Sequence, residues 1–439
     1  MSTRPNLIFI VADDLGYADL GCYGGRAADF GPVSPILDAM AARGLRFTQG
    51  YSNSPVCSPT RFALMTARWQ YRLRGAAEEP INSKSRGSRT LGLPPEHPTL
   101  PSLLRDAGYR TALIGKWHLG YPPAFGPLAS GYEEFFGPMS GGVDYFTHAD
   151  SSGRHDLFEG TAERPADGYL TDLITHRALD WVKRMALGSA PFFLSLHYTA
   201  PHWPWETRDD RELAYNLKGS LFHLAGGNIH TYRRMIHHMD EGIGLLLDAL
   251  RQIGQLDHTL LVFTSDNGGE RYSDNWPLVG GKMDLTEGGI RVPCIAHWPA
   301  VIAPGGVSAQ HCLTMDWSAT MLDAAGVAAH PDYPLDGRSL LPVLRDPGQP
   351  FERPMHWRMN HRGQRAFRDG DWKYLRVDGI DYLFDIAGDE RERANHAALQ
   401  PERLQRMRAA WEVWNASLPP IPEDATVSLG YSVKDMPKR

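Results

Sequence analysis

Residues 7–14 read LIFIVADD, an apolar, β-branched run that leads through Ala12 into two consecutive aspartates. A short run of this kind predicts a buried β-strand. Similar runs recur at residues 111–114, 192–197 and 260–264. The segments between them carry apolar residues at three- and four-residue spacing, which predicts helices at 99–107, 169–185 and 231–253. Alternating strands and helices are typical of an α/β protein with a large, mostly parallel sheet.

Polar residues follow each of these predicted strands. In open α/β sheets, ligands bind in the crevice at the carboxyl ends of the strands, so we expect these side chains to converge. Taken singly, each is also compatible with turn chemistry, because Asp-Asp and Asp-Asn-Gly are common in turns. Their occurrence after four strands favours a shared site. The residues are Asp13 and Asp14, Lys116 and His118, His202, and Asp266 and Asn267.

The acidic members of this set need a cation if they converge. Asp13, Asp14 and Asp266 would repel one another as carboxylates, and all three are oxygen donors, as is the Asn267 amide. Such hard ligands favour calcium or magnesium over zinc. A metal beside a basic cluster suits a tetrahedral oxyanion ester whose charge grows during reaction. The basic residues expected around that anion are Arg61, Lys116, His118, His202 and Lys282.

A cysteine between two prolines is the second unusual feature, in SPVCSPTRFALMTAR at 54–68. Ser58 is a good N-cap and Pro59 suits the first helical position, so a helix is predicted to begin just after Cys57. The N-terminus of a helix attracts anions and lowers the pKa of a thiol, which would make Cys57 reactive. A small residue in a tight turn is the alternative, and these residues alone leave both open.

Composition and charge exclude several classes of protein. The 439 residues are 42% hydrophobic and 22% charged, and the net charge of −6 gives no general attraction for nucleic acid or anionic membranes. No apolar run approaches the roughly 18 residues that span a bilayer. The first residues lack a secretory apolar region, which predicts a cytoplasmic protein, or a periplasmic one if a leader has been removed. The four cysteines form no zinc-type pairing or disulfide framework.

Two domains are predicted: a catalytic α/β domain at 1–345 and a small C-terminal α+β subdomain at 346–439. In the second, RAFRDGDWKYLRV and YLFDI indicate an antiparallel sheet, followed by a helix near 401–417. Residues 70–98 are polar and rich in Gly and Pro, so we expect a surface excursion there. The Pro/Gly-rich residues 331–354 are expected to be a linker.

CSPTR at 57–61 resembles the Cys-x-Pro-x-Arg signature of type I sulfatases, which belong to the alkaline-phosphatase superfamily. The similarity runs from about residue 5 to about residue 395 and implies an alkaline-phosphatase-like sheet sandwiched by helices. Two positions depart from the family pattern, Thr60 in place of serine and Ala67 in place of glycine, and neither removes a chemical group. Further motifs that resemble the family are PNLIFIVADDLGYADLGCYG at 5–24, GKWHLG at 115–120, APHWP at 200–204, SDNGG at 265–269 and EGGIRVP at 287–293.

The resemblance implies a modified nucleophile. In that family a formylglycine-generating maturation enzyme converts the signature cysteine, here Cys57, to formylglycine, whose hydrated aldehyde attacks sulfur. It also implies one divalent cation, with calcium preferred and magnesium as the alternative. The implied metal ligands are Asp13, Asp14, residue 57, Asp266 and Asn267. The implied catalytic residues are Arg61 bracing the diol, Lys116, His202 and Lys282 on the sulfate oxygens, His202 or Lys282 protonating the leaving alcohol, and His118 as the base that releases sulfate.

The implied reaction is hydrolysis of a sulfate monoester of a small aryl, alkyl or sugar alcohol. Hydrolysis of phosphonate monoesters or phosphodiesters is the alternative within the superfamily, and a non-catalytic binder of sulfated ligands is the alternative if Cys57 stays unmodified. A tyrosine-phosphatase-like mechanism needs more than the three residues found here between cysteine and arginine. Four aromatic residues near the motifs could pack an aryl or sugar ring, although we expect at least two of them to be buried in the core instead. They are Trp69, Tyr71, Trp203 and Trp205.

Overall fold

A ten-stranded sheet forms the centre of the computed structural model, which describes residues 4–25, 31–217 and 227–429. Its strands run in the order β11-β2-β10-β9-β1-β8-β4-β5-β6-β7. The five neighbours β9, β1, β8, β4 and β5 are parallel, and antiparallel pairs occur only on either side of them. The strands of this sheet are β1 (Asn6–Ala12), β2 (Leu45–Phe47), β4 (Arg110–Gly115), β5 (Glu134–Pro138), β6 (Leu157–Glu159), β7 (Ala162–Glu163), β8 (Phe192–His197), β9 (Thr259–Ser265), β10 (Cys294–His297) and β11 (Gly306–Ser308).

The four predicted strands lie together at the middle of this sheet, as expected. Every residue of β1, β8 and β9 is buried, which explains their continuous apolar runs, because both faces of a central parallel strand are covered. Alternate side chains of β1 enter two different cores: Ile8 and Ile10 belong to one, and Leu7, Phe9 and Val11 to the other. The predicted α/β class with a mostly parallel sheet is confirmed.

Helices cover both faces. Helices α1, α4 and α6 pack in the core that contains Ile8, on one face of the sheet. Helices α2, α3 and α8 pack in the core that contains Leu7, on the other face. The three predicted helices appear as α3, α4 and α6, each within about two residues of its predicted ends. The helices are α1 (Pro35–Arg43), α2 (Cys57–Thr66), α3 (Leu100–Asp106), α4 (Leu170–Met185), α5 (Arg211–Leu217), α6 (Ile229–Gln252), α7 (Glu287–Ile290), α8 (Thr314–Ala324), α9 (Leu341–Arg345) and α10 (Pro401–Ala416).

A four-stranded antiparallel sheet and α10 form the C-terminal part, as predicted. It shares a core with segments that precede it in the chain: Met355 and Trp357 pack in one cluster with Tyr51, Val56 and residues of the 283–290 segment. The division at 345/346 stays a prediction, and residues 430–439 lie outside the described ranges. The remaining strands are β13 (Met355–Arg358), β14 (Arg365–Asp369), β15 (Trp372–Val377) and β16 (Ile380–Asp385), with β3 (Gly50–Tyr51) and β12 (Cys312–Leu313) paired separately.

Two segments, one expected at the surface and one expected to be a linker, contribute to the core instead. In residues 70–98, Ile81 and Leu93 are buried in the same cluster as Leu7 of β1. The expected linker at 331–354 contains α9, whose Leu341 and Leu344 are buried there too. Both segments are mostly polar and rich in Pro and Gly, and their few buried apolar residues are spaced too irregularly to show a helical or strand period. In the described part of the chain, no helix is long and apolar enough to cross a membrane.

Candidate active site

The strand-end residues converge in one buried crevice. Asp13 and Asp14 follow β1, Lys116 follows β4, and Asp266 follows β9, and all four are fully or almost fully buried. Backbone hydrogen bonds join the strand ends, from Asp13 N to Ala200 O (3.1 Å), from Lys116 N to His197 O (2.8 Å) and from Asp266 N to Ala12 O (3.2 Å). Parallel strands thus deliver residues more than 250 positions apart to one point.

Gly115 allows this close approach at the end of β4. Its φ is +115°, and a Cβ added there would lie 1.8 Å from the carbonyl oxygen of His197. Only glycine fits such a contact. Gly115, which no other residue type could replace, therefore allows Lys116 to enter the crevice.

Several buried oxygens of the crevice lack a protein partner. Asp13 Oδ1 and Asn267 Oδ1 accept no hydrogen bond from any described residue. Ligand atoms of Asp13, Asp14, Cys57 and His202 all lie within 4.8 Å of one another. Burial, followed by the charge of Asp266, raises the pKa of Asp13 to about 7. Burying an oxygen without a hydrogen-bond donor costs free energy, and a hard divalent cation bound to these oxygens would remove that cost. The residues therefore fit a calcium or magnesium ion.

Asp14 and Asp266 differ from Asp13 and Asn267 in that all of their carboxylate oxygens have partners. Asp14 Oδ1 accepts from Asn267 Nδ2 (2.7 Å) and Asp14 Oδ2 from Lys282 Nζ (2.6 Å). Asp266 Oδ2 accepts from Arg61 Nε (3.0 Å) and Nη2 (2.8 Å), and its Oδ1 accepts from Asp14 N (3.3 Å). Arg61 also donates through Nη1 to Lys116 O at 3.2 Å, and its Nη2 lies 3.9 Å from Asp13 Oδ1. Arg61 therefore links the end of β9 to the ends of β1 and β4 and holds the carboxylates in place.

Cys57 is the first residue of α2 and is 1% exposed. Its Sγ lies 4.0 Å from Asp14 Oδ1. The helix begins two residues earlier than predicted, with Val56 in place of Ser58 at the N-cap, and the Ser58 hydroxyl accepts from Ile81 N at 3.0 Å instead. The expectation of a lowered thiol pKa is wrong. Burial raises the pKa of Cys57 to about 12, although Lys116 and Lys282 act in the opposite direction.

The two departures from the family signature have local explanations. The Thr60 hydroxyl accepts from Ser54 N (3.0 Å) and donates to Ser54 O (2.9 Å), a pair of bonds that serine would also make. Ala67 ends α2 in the left-handed region at φ +52°, which glycine adopts without steric cost. Neither position offers a group to the crevice.

Two lysines neutralise the carboxylates nearest to Cys57. Lys116 Nζ lies 2.5 Å from Asp13 Oδ2, and Lys282 Nζ lies 2.6 Å from Asp14 Oδ2. Both lysines are buried. They are therefore fixed positive charges at the rim of the carboxylate cluster, where an anion would approach.

The histidines are held neutral. Burial and the neighbouring lysines lower the pKa of His118 and His202 well below the usual value. His118 Nε2 lies 2.7 Å from Ile81 O, which can only accept, so Nε2 carries the proton and the buried Nδ1 is left with a lone pair and no described partner.

His202 has the opposite tautomer. Its Nδ1 donates to Trp203 O at 2.6 Å, so the Nε2 lone pair faces Asp14 Oδ2 at 3.5 Å. A lone pair facing a carboxylate oxygen requires a proton or a cation between them. The His202–Asp14 pair is therefore a second indication, besides the unpartnered oxygens, that this crevice binds positive charge.

A small pocket opens onto these groups. Its volume is about 90 Å³, and Cys57, His118, His202 and Lys282 lie at its base. This is well below the roughly 300–1,000 Å³ of a typical small-molecule site, so it admits the charged end of a substrate and leaves the rest outside. The other lining residues are Pro80, Ile81, Asn82, Ser83, Ser140, Gly141, Gly142, Ser151, Trp203, Ser428 and Leu429.

Of the aromatic residues considered from the sequence, Trp203 lines the pocket. Trp69 and Tyr71 stack at 6.4 Å between ring centroids and pack against Trp414 instead, and Trp205 is buried. Trp69 and Trp205 are buried, and Tyr71 is half-buried outside this pocket, so Trp203 is the one of the four that lines it.

Sequence reasoning missed several residues of the site. His197 ends β8, and its Nδ1 lies 3.3 Å from Arg61 Nη1. Ile81 contributes only its backbone, which no side-chain pattern reveals. Gly141 was detectable in principle as half of a Gly-Gly pair: a Cβ there would meet the His118 ring at 2.5 Å.

The fold and the crevice define an alkaline-phosphatase-like hydrolase of charged esters. The family model described as Sulfatase matches residues 5–327. Human N-acetylgalactosamine-6-sulfatase is 33% identical over 378 residues, covering 80% of this chain and 68% of the relative. Human arylsulfatase A is 33% identical over 405 residues, covering 84% and 74%. The crystal structure of Ps i-CgsB in complex with k-i-k-neocarrahexaose superposes with a TM-score of 0.84 at 31% identity, covering 95% and 94%.

The chain belongs to the sulfatase family, of type I, and is a sulfatase: an enzyme that hydrolyses sulfate esters. A phosphonate monoester hydrolase of Agrobacterium radiobacter shares the fold, with a TM-score of 0.65 at 21% identity.

Proposed function

We propose that the protein hydrolyses sulfate monoesters of carbohydrates, using a formylglycine formed from Cys57 and one divalent cation. The observation that carries the proposal is the position of Cys57, at the base of a pocket between two buried lysines and two neutral histidines. A thiol whose pKa is raised to about 12 is a poor nucleophile near neutral pH, which favours a modified side chain. The modified residue would supply a hydrated aldehyde with two hydroxyls on one carbon.

The cation would be held by Asp13 and Asn267 through their unpartnered Oδ1 atoms, with Asp14, residue 57 and Asp266 beside them. It would act as a Lewis acid and lower the pKa of a hydroxyl near it. Calcium or magnesium fits the oxygen donors.

The chain's own residues supply binding and proton transfer. Lys116 and Lys282 would hold the oxygens of the sulfate group, because their ammonium groups are fixed beside Asp13 and Asp14 and Lys282 lines the pocket. His118 Nδ1 carries a lone pair and can accept a proton from residue 57, while the Ile81 carbonyl fixes the ring. Lys282 rather than His202 would give a proton to the leaving alcohol, because neutral His202 carries no proton on Nε2. Arg61 would hold the carboxylates in place.

The substrate class is proposed from the relatives. N-Acetylgalactosamine-6-sulfatase and the structure solved with a neocarrahexaose both concern sugars. We therefore place sulfated sugars ahead of aryl and alkyl sulfates. Trp203 at the pocket wall is suited to stack on a sugar ring. A cytoplasmic location, or a periplasmic one after removal of a leader, stays a prediction.

Peptide mass spectrometry across residues 54–68 of protein from its native host tests the nucleophile. We expect an aldehyde in place of the thiol at residue 57. Wholly unmodified Cys57 in an active preparation would refute the formylglycine. Cys57→Ala should abolish turnover while the Tm stays near that of the parent. Assaying sulfate and phosphonate esters side by side separates this proposal from phosphonate chemistry, and cation binding without turnover of either would favour a binding protein.

Calorimetric titration with Ca²⁺ and Mg²⁺ tests the metal ligands. Asp13→Asn should weaken binding by roughly 10- to 100-fold, because it removes one charged oxygen donor from the set. Asp209→Asn, at an exposed residue remote from the crevice, is the matched control and should bind the cation as the parent does. Unchanged affinity of Asp13→Asn would remove Asp13 from the ligands.

A further inference from the structure

The segment that carries Lys282 adopts an unfavourable backbone. Met283, the next residue, has φ +75°, in the left-handed region that side chains other than glycine rarely adopt. Three hydrogen bonds surround the turn: Lys282 N donates to Gly269 O (3.1 Å), Met283 N to Pro55 O (2.8 Å) and Asp284 N to Gly281 O (2.9 Å). The second of these joins the turn to the residues just before Cys57. A conformation of this kind persists only where its surroundings hold it.

Gln364 supplies a further restraint from the C-terminal part of the chain. Its side chain is 1% exposed and lies just before β14. Nε2 donates to Met283 O at 2.8 Å, and Oε1 accepts from Leu285 N at 2.8 Å. One amide thus binds the backbone on both sides of Asp284, beginning at the residue next to Lys282.

Gln364 is also the right residue type for this task. Only a primary amide offers a donor and an acceptor side by side, so it can satisfy a carbonyl and an N–H two residues apart. The buried Met283 carbonyl and Leu285 N–H would otherwise lose their partner. Gln364 lies beyond residues 5–327, which the family model matches.

We propose that Gln364 is a positioning residue for Lys282. By holding Met283 in the left-handed conformation, it fixes the start of the side chain whose ammonium group lies 2.6 Å from Asp14 Oδ2. The C-terminal part of the chain therefore helps to build the sulfate-binding end of the pocket. This inference rests on the proposed role of Lys282 in holding the sulfate group.

A double-mutant cycle between Gln364 and Lys282 tests it, with kcat/KM for a hydrolysed sulfate ester as the readout. Gln364→Ala should lower kcat/KM by roughly 10- to 100-fold, the scale expected when a catalytic group is displaced by about 1 Å. In the Lys282→Ala background the same change should alter kcat/KM by less than about threefold, because the group that it positions is gone. Equal losses in both backgrounds would show a merely structural role and overturn the inference.

Gln310→Ala is the matched control. Gln310 is also a buried glutamine whose amide binds backbone on both sides, donating to Phe351 O (3.0 Å) and accepting from Phe351 N (2.8 Å), remote from the pocket. It should lower the Tm about as much as Gln364→Ala while leaving kcat/KM within about twofold of the parent. A loss of kcat/KM equal to that of Gln364→Ala would attribute the effect to general destabilisation.

A more conservative variant, Gln364→Glu, and a sulfate-binding measurement complete the test. Gln364→Glu keeps the acceptor for Leu285 N and nearly the same shape, so it serves if the alanine variant does not fold, and it should show an intermediate loss of kcat/KM. Calorimetry with inorganic sulfate should show weaker binding in both Gln364→Ala and Lys282→Ala. If Lys282→Ala keeps full activity and sulfate affinity, the proposed role of Lys282 fails, and this result is distinguishable from a failure of Gln364 alone.

Discussion

At the scale of the single residue, burial decides what the ionisable groups of the site can do. The sequence predicts which residues gather, because polar side chains follow four buried strands. It does not predict their protonation: Cys57 was expected to have a lowered thiol pKa, and burial raises that pKa to about 12. His118 and His202 are held neutral for the same reason. Desolvation depends on every atom around a group, so it cannot be read from the neighbours in sequence.

Glu206 provides a test of this effect outside the crevice. It is fully buried, and burial, with the charge of Asp144 adding to it, raises its pKa to about 9. A carboxyl whose folded pKa lies above the unfolded value of about 4.3 stabilises the fold fully below that value, and the contribution is lost as the pH rises through the folded pKa. The loss amounts to at most about 1.4 kcal/mol per pH unit.

Glu206→Gln should remove this pH dependence, because glutamine stays neutral as the protonated carboxyl does. We expect the Tm of the variant, relative to the parent, to be higher at pH 8.5 than at pH 5. Thermal unfolding at the two pH values measures it, with exposed Glu212→Gln as the control that should show no such change. The same difference in Tm at both pH values would contradict the raised pKa.

At the scale of the element, long periodic segments were predictable and short ones were not. The strands β1, β4, β8 and β9 and the helices α3, α4 and α6 follow from apolar runs and helical spacing. Strands of two or three residues, such as β3 and β12, carry no alternation from which to recognise them. The prediction for residues 70–98 was wrong for a related reason, since Ile81 and Leu93 are isolated buried residues in a polar stretch.

The segment at 425–429 shows how such an irregular element can matter. Val427 pairs with Glu79 in a parallel bridge, and Ser428 Oγ donates to Pro80 O at 2.7 Å. Ser428 and Leu429 then form part of the pocket wall. The segment therefore supports residues 79–81, and the carbonyl of Ile81 orients His118.

Removing this support should lower activity. A chain ending at Asp424 is expected to lose roughly tenfold or more in kcat/KM, because the His118 ring loses its fixed acceptor. A chain ending at Leu429 is the matched control, since it keeps every described contact of the segment, and it should stay within about twofold of the full chain. Steady-state kinetics on one sulfate ester compares the three. Equal activity of both truncated chains would show that residues 425–429 have no part in the site.

At the scale of the whole molecule, a buried group of charges joins the C-terminal antiparallel sheet to α7 and β3. Glu287, the first residue of α7, accepts from Tyr51 OH (2.6 Å) and Arg368 Nη1 (3.2 Å) through Oε2, and pairs with Lys373 Nζ (3.0 Å) through Oε1. Glu392 accepts from Glu287 N at 2.7 Å. The antiparallel sheet was predictable from RAFRDGDWKYLRV, but its docking was not, because these pairs join residues 81 to 236 positions apart.

Lys373 is the residue on which this junction most depends. It is fully buried between Glu287 and Glu392, at 3.0 and 2.8 Å. Lys373→Met keeps the length of the side chain but leaves the buried Glu392 without its cation and Glu287 without one of its cations. Removing one partner of a buried pair costs about 3–5 kcal/mol. The Tm should therefore fall by several degrees, whereas Lys183→Met on the exposed face of α4 should leave it unchanged. Thermal unfolding followed by circular dichroism measures both. If Lys373→Met unfolds at the temperature of the control, the charges do not hold the antiparallel sheet against α7, and the shared apolar core around Trp357 does so alone.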